Sequence, residues 1–184
     1  GGAKYKGEFK NDNFNGEGTM TYPNGSVYEG QWLDDNRHGE GTMTYADGEV
    51  YKGQWLNNKR HGQGTYTYSD GQRYTGQFKN DDFSGEGVMT YADGTIYRGQ
   101  WLDDYRHGNG TAMYQDGHVY KGQWLNDGWH GKGTYTMSDG AGYVGDFKNN
   151  NFNGDGTYTY ESGGVYKGQW LDDNRHGEGA MRSA

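Results

Sequence analysis

The sequence predicts an all-β protein: an elongated, twisted, single-layer antiparallel meander of β-hairpins, one hairpin-equivalent per 23 residues. Three observations predict it. The first is a strict period: tyrosine returns every 23 residues, at Tyr5, Tyr28, Tyr51, Tyr74, Tyr97, Tyr120, Tyr143 and Tyr166. A glycine follows two places after each tyrosine, and an aromatic two places after that, as in Tyr28-Glu29-Gly30-Gln31-Trp32. A fixed period of this length marks an array of one supersecondary unit. The second observation is period-two alternation on both sides of a turn dipeptide, Asp47-Gly48 in the second unit. The third is the recurring pair Gly39 and Gly41, present in every unit among fixed aromatic columns. Residues 1–184 are therefore expected to form a single array, its repeats starting at the eight tyrosines.

Composition agrees with a thin structure. The hydrophobic share is 30%, well below the roughly 45–50% of globular chains. Disorder is excluded by six tryptophans, 18 tyrosines and six phenylalanines held in columns, since disordered chains are poor in aromatics. No segment approaches the roughly 20 apolar residues of a membrane span, and no apolar targeting segment is visible. Without cysteine, disulfide and thiolate chemistry are excluded. A net charge of −8 argues against nucleic acid as a partner.

The hairpin around Asp47-Gly48 can be read in detail. A two-residue loop would put Tyr45 and Tyr51 on different faces. A three-residue loop, Ala46-Asp47-Gly48, sets Met43 opposite Tyr51 and Gly41 opposite Gly53. It gathers Tyr45, Met43, Tyr51 and Trp55 on one face and Thr42, Thr44, Lys52 and Gln54 on the other. The three-residue turn is expected. Two facing glycines per unit weaken a strand unless something covers them, so aromatic rings of neighbouring strands are expected across the bare backbone. The second connection, Leu33 to Gly39, is polar and ends in glycine, and a longer surface loop is expected there. Units 1, 4 and 7 differ from the rest, carrying Phe9-Lys10 with Phe14, Phe78-Lys79 with Phe83, and Phe147-Lys148 with Phe152. Block duplication explains that second period.

Catalytic chemistry finds no foothold. His38, His61, His107, His130 and His176 share one column, about two strands or ~10 Å apart, too far for one metal to take two of them. A backbone hydrogen bond is the expected role of each, and neither metal nor cofactor is expected. The run Asn11-Asp12-Asn13-Phe14-Asn15-Gly16 lacks the leading aspartate and closing glutamate of a calcium loop. An active site would break the symmetry of the repeat, and no unit does so.

The aromatic face remains. Tyr28, Trp32, Tyr51, Trp55, Tyr97, Trp101, Tyr120 and Trp124 form two rows that must cover the glycines, yet a single-layer sheet has nothing behind it. A long apolar strip marks an interaction surface, and tyrosine and tryptophan anchor interfaces. These eight residues are the expected partner-binding set. The expected partner is a protein segment, an amphipathic helix foremost, or another copy of the chain. The alternative is a phospholipid-headgroup site on the opposite face, using Lys6, Lys10, Lys52, Lys79, Arg98 and Lys121. Interrupting acids such as Glu8 and Glu29 weaken that stripe.

Tyr28-x-Gly30-x-Trp32, then Arg37-His38-Gly39-x-Gly41, then Tyr45-x-Asp47-Gly48, resembles the MORN (membrane occupation and recognition nexus) repeat along the whole chain. Units 1, 4 and 7 depart from it by replacing Arg-His with Phe-Asn or Phe-Ser. The resemblance implies an antiparallel sheet of hairpins with a shallow groove and non-enzymatic work: tethering membranes, or scaffolding in cilia and the cytoskeleton. A cytoplasmic protein associated with cytoskeleton or membrane is the expectation it carries. The first and last strands are further expected to expose unpaired edges, through which copies would associate end to end unless the chain is a piece of a longer array.

Overall fold

The computed structural model describes residues 2–184. Among them there is no helix, and sixteen strands stand in the sheet in their sequence order, without a crossover. The chain divides into two compact units, 1–92 and 93–184. The first holds β1 (Lys4–Lys10), β2 (Asn13–Thr21), β3 (Val27–Leu33), β4 (Asn36–Thr44), β5 (Val50–Leu56), β6 (Lys59–Thr67), β7 (Arg73–Lys79) and β8 (Asp82–Thr90). The second holds β9 (Ile96–Leu102), β10 (Tyr105–Met113), β11 (Val119–Leu125), β12 (Gly128–Thr136), β13 (Gly142–Lys148), β14 (Asn151–Thr159), β15 (Val165–Leu171) and β16 (Asn174–Arg182).

The turn between β4 and β5 is the expected three-residue one. Tyr45 N–H donates to the Glu49 carbonyl at 2.8 Å and Gly48 N–H to the Tyr45 carbonyl at 3.0 Å. Gly48 takes φ 89°, the left-handed bulge position that a side chain resists. Asp47 closes the turn by accepting Glu49 N–H at 3.1 Å. The register follows, with Met43 opposite Tyr51 and Gly41 opposite Gly53.

The other connection corrects the expectation. There is no long loop: β3 runs to Leu33, β4 starts at Asn36, and Asp34 and Asp35 alone make the turn, with φ 46° and 65°. Two consecutive positive φ angles define a type I′ turn, whose twist matches that of the flanking strands. Asn and Asp tolerate this region better than other side chains. Every repeat carries such a pair, Asn57-Asn58 and Asp103-Asp104 among them, all at positive φ. The remaining polar residues enter the strand. Trp32 faces Arg37 and Gly30 faces Gly41, so residues 38–40 oppose Gln31 alone in a bulge. Gln31 Oε1 holds that bulge by accepting Glu40 N–H at 3.1 Å.

Rings do cover the facing glycines, each from the neighbouring strand of the same repeat. A Cβ on Gly41 would lie 2.6 Å from a ring carbon of Tyr28, because that ring lies flat on the glycine. The Tyr28 hydroxyl reaches past and donates to the Gln31 carbonyl at 2.9 Å. Trp32 and Trp55 then stand edge-on to the tyrosine ring at 5.1 and 5.3 Å. Trp55 Nε1 donates to the Gly41 carbonyl at 3.1 Å, tying its repeat to the one before it. Tyr28, Tyr51, Tyr74, Tyr97, Tyr120 and Tyr143 are buried to 0% exposure. Each such ring contributes on the order of 2–3 kcal/mol by burial.

A side chain at Gly99 would place its Cβ 2.5 Å from the Asn109 carbonyl oxygen and 2.8 Å from the Tyr97 hydroxyl. Gly99→Val is therefore expected to destabilise the fold by about 2 kcal/mol or more, through forced separation of β9 and β10. Thr44→Val, on the exposed face, is expected to stay within ~0.5 kcal/mol. Urea denaturation of the two variants checks both, and equal midpoints would overturn the packing described here.

Candidate protein-interaction face

The aromatic face is built in three layers. At its base lie the tyrosine rings on their glycines. Above each ring sits one planar lid, contributed by the residue two places after the type I′ pair. Phe14 stacks on Tyr5 at 3.9 Å, Phe83 on Tyr74 at 3.8 Å and Phe152 on Tyr143 at 4.0 Å between centroids. Trp129 stacks on Tyr120 at 4.7 Å. In the other four repeats a guanidinium takes the same place: Arg37 over Tyr28 at 5.8 Å, Arg60 over Tyr51 at 5.9 Å, Arg106 over Tyr97 at 5.8 Å and Arg175 over Tyr166 at 5.6 Å. Phenylalanine, tryptophan and arginine are exchangeable here because each offers a flat face to the tyrosine.

The lids are pinned by the turn of the following repeat. Asn58 N–H donates to the Arg37 carbonyl at 3.0 Å, and Asn58 Oδ1 accepts Arg37 N–H at 2.9 Å. The Arg37 guanidinium donates back to the Asn58 carbonyl at 2.8 Å. Asp81 makes the same set with Arg60, at 3.0, 2.9 and 2.7 Å. Asp127 does so with Arg106, and Asp173 bonds the Phe152 backbone in both directions. The type I′ residue thus serves as turn former and inter-repeat clamp together.

The third layer is the part a partner could touch. A half-buried tyrosine precedes six of the three-residue turns: Tyr22, Tyr45, Tyr68 and Tyr91 in the first unit, Tyr114 and Tyr160 in the second. A cleft between the first two is lined by Tyr22, Pro23, Ser26, Arg37, Met43 and Tyr45. Its counterpart in the second unit includes Arg106, Tyr114, His118, Trp124, Trp129 and Tyr135. By contrast, the eight residues expected to bind a partner are core. Tyr28, Trp32, Tyr51, Trp55, Tyr97, Trp101, Tyr120 and Trp124 are between 0% and 5% exposed. The lid position was missed because its residue type varies, although its distance from the Asx pair does not. The Tyr22 column was visible as a tyrosine beside every three-residue turn but the sixth, where Met137 stands.

On the opposite face Lys6, Lys10, Lys52, Lys79, Arg98 and Lys121 are all exposed. Lys52 stands between Thr42 and Thr65 on its neighbouring strands, and Glu29 occupies its column one repeat earlier. In the histidine column, the Nδ1 atoms of His38, His61 and His107 are enclosed and have no hydrogen-bond partner. Among the described residues no group of three or more His, Cys, Asp or Glu side chains is placed to hold a metal. No helix is long and apolar enough to cross a membrane.

A family model described as the MORN repeat matches residues 5–27, 28–50, 51–73, 74–96, 97–119, 120–142, 143–165 and 166–184. The chain belongs to the MORN repeat family. Each matched unit opens on the tyrosine whose ring packs on a glycine of the facing strand. No curated protein matches the sequence. Among solved structures, the fold is similar to that of the TCP domain of Drosophila melanogaster SAS-4, in complex with a proline-rich motif of Ana2. Identity is 13%, covering 98% of this chain and 90% of that one, with a TM-score of 0.50. The TCP10 domain of Danio rerio CPAP with a STIL peptide matches at 15% identity, over 98% of this chain and 100% of that one, at TM-score 0.35. At these identities the likeness is one of fold.

Two outcomes follow from the clamps and the buried rings. Asp81→Ala is expected to cost about 1–2 kcal/mol, losing a buried-edge hydrogen bond and a residue tolerant of positive φ. Asp81→Asn should cost far less, since Asn58 fills the same role natively; equal losses in denaturant titrations would contradict the clamp. Burial holds the hydroxyls of Tyr28, Tyr51 and Tyr120 above the ordinary value of 10.0, and that of Tyr143 is pushed up to about 12. A raised pKa favours the protonated, folded form. Its stabilisation is complete below pH 10 and is lost as pH rises through 12. Tyrosinate absorbance and circular dichroism should therefore change together in one steep alkaline transition, and independent titration of the rings before unfolding would contradict it.

Proposed function

We propose that this MORN array is a non-enzymatic protein-binding scaffold, taking a linear segment of a partner along its tyrosine–arginine face. The observation that carries the proposal is the pinned surface of the first unit: half-buried Tyr22, Tyr45 and Tyr68 beside Arg37 and Arg60, whose guanidinium planes are held by Asn58 and Asp81. Tyrosine and arginine are the side chains that dominate interface energetics. Here they are ordered before any partner arrives, which lowers the entropic cost of binding. Tyr28, Trp32, Tyr51, Trp55, Tyr97, Trp101, Tyr120 and Trp124 act from beneath, as the rigid floor. The SAS-4 domain, of like fold, was determined with a proline-rich motif of its own partner, which supports a linear segment as the occupant class. The amphipathic helix expected from sequence, or another copy of the chain, belongs to the same class.

Selection of random linear peptides displayed on phage against the intact chain tests the proposal. Binders should be recovered whose affinity falls at least tenfold on Tyr45→Ala or Tyr114→Ala and is unchanged on Thr44→Val. If no peptide is recovered, or binding ignores both tyrosines, the scaffold reading fails. Pelleting with phosphatidylserine vesicles that is abolished by Lys52→Glu would favour the lipid face instead.

A further inference from the structure

Resting on that groove reading, the geometry points to a narrower partner: a proline-rich segment in the polyproline II conformation, carrying lysine or arginine, laid across the strands of residues 1–92. The argument begins with spacing. Tyr22, Tyr45 and Tyr68 occupy the same place in successive repeats, and successive repeats lie two strands apart, about 9.6 Å. A polyproline II helix completes one turn in three residues of 3.1 Å each, about 9.3 Å. A residue at every third position therefore returns to the next tyrosine on the same side of the segment, with a slip of only ~0.3 Å per repeat. An α-helix fits less well. Seven residues advance about 10.5 Å and leave the face rotated by roughly 20°, so its apolar stripe drifts off the row within a few repeats.

The chemistry of the first slot agrees with the spacing; in the next, the Tyr66 ring stands between Tyr45 and Tyr68, 6.1 and 4.8 Å from theirs. The cleft between Tyr22 and Tyr45 is walled by tyrosine rings and the pinned Arg37 plane, with Met43 at its floor. Flat aromatic walls suit a pyrrolidine ring, the mode by which other aromatic grooves take proline-rich segments. A polyproline II backbone makes no internal hydrogen bonds, so its carbonyls can accept from the hydroxyls of Tyr22 and Tyr45. Charge complementarity selects the third residue type. Asp47 and Asp70 follow Tyr45 and Tyr68 by two places, are exposed, and are oriented by their turns through Glu49 N–H at 3.1 Å and Gln72 N–H at 3.0 Å. They place a carboxylate beside the row in the second and third repeats, where the first has Asn24. A cation at one of the two remaining positions of each triplet meets it, and an acidic triplet is repelled.

Fluorescence anisotropy with the intact chain and labelled (Pro-Pro-Lys)4 tests the inference, beside (Gly-Gly-Lys)4, (Pro-Pro-Glu)4 and a Leu/Lys amphipathic helical peptide. The proline–lysine peptide should bind at least tenfold more tightly than the other three. The doubly substituted Tyr45→Ala, Tyr68→Ala chain should lose at least tenfold, its fold checked by circular dichroism. The pair Asp47→Asn and Asp70→Asn keeps the turns, as Asn24 does in the first repeat, and should lose at least threefold. Equal binding of (Gly-Gly-Lys)4, or indifference to the tyrosine and aspartate pairs, overturns the inference. Helical-peptide binding that depends on Tyr45 and Tyr68, without proline–lysine binding, overturns it while leaving the groove reading intact. Binding by none of the four peptides overturns both.

Discussion

The structure depends on one contact, a tyrosine ring lying flat on a glycine across the hairpin. It is possible only because Gly30 and Gly41 face each other and neither has a Cβ to hold the ring away. Glycine in a strand sacrifices packing and conformational entropy. Here the loss is offset because the ring itself supplies the packing, burying its whole surface without a second sheet. A thin protein with 30% hydrophobic residues thereby obtains a core. The tyrosine hydroxyl, which would be costly to bury unpaired, is satisfied by a carbonyl three residues on in its own strand.

Around that contact the repeat divides its tasks. The tryptophans join rings of one repeat to those of the next, by edge-on packing and by the indole hydrogen bond to a glycine carbonyl. The type I′ residue supplies a second inter-repeat link through the backbone of the preceding lid. Cohesion is thus local and nearest-neighbour, as stacked repeat arrays require. The lid is free to vary, because stacking asks for planarity rather than for one residue type. That freedom accounts for the Phe repeats: Phe14, Phe83 and Phe152 fill the role that arginine fills elsewhere, and they leave the fold unchanged. What the exchange alters is the outer surface, which is charged and hydrogen-bonding over an arginine lid and apolar over a phenylalanine.

The layers differ in what covers them. Core rings lie beneath the lids and the next repeat. The half-buried tyrosine row and the lids face outward, held by the same bonds that hold the repeats together. Stability and presentation of the surface are therefore one network, and a substitution in a clamp residue disturbs both.

Much of this was legible in the sequence. The period, the three-residue turn with Gly48, the pairing of Met43 with Tyr51, and the covering of glycine by rings all follow from spacing and from the alternation of side chains, which are local rules. The second connection was misjudged although its signal was present. Asp34-Asp35 is an Asx pair suited to positive φ, but the polar residues after it resemble loop as readily as bulged strand, and only pairing with Gln31 and Trp32 decides between them. The candidate site was legible as a face and not as a set of residues. Alternation assigns Tyr28, Trp32 and Tyr45 to the same side equally. Which of them lies beneath depends on Arg37 folding back over Tyr28 and being caught by Asn58, 21 residues on. That is a contact between repeats, and it exists only once the sheet has brought them together.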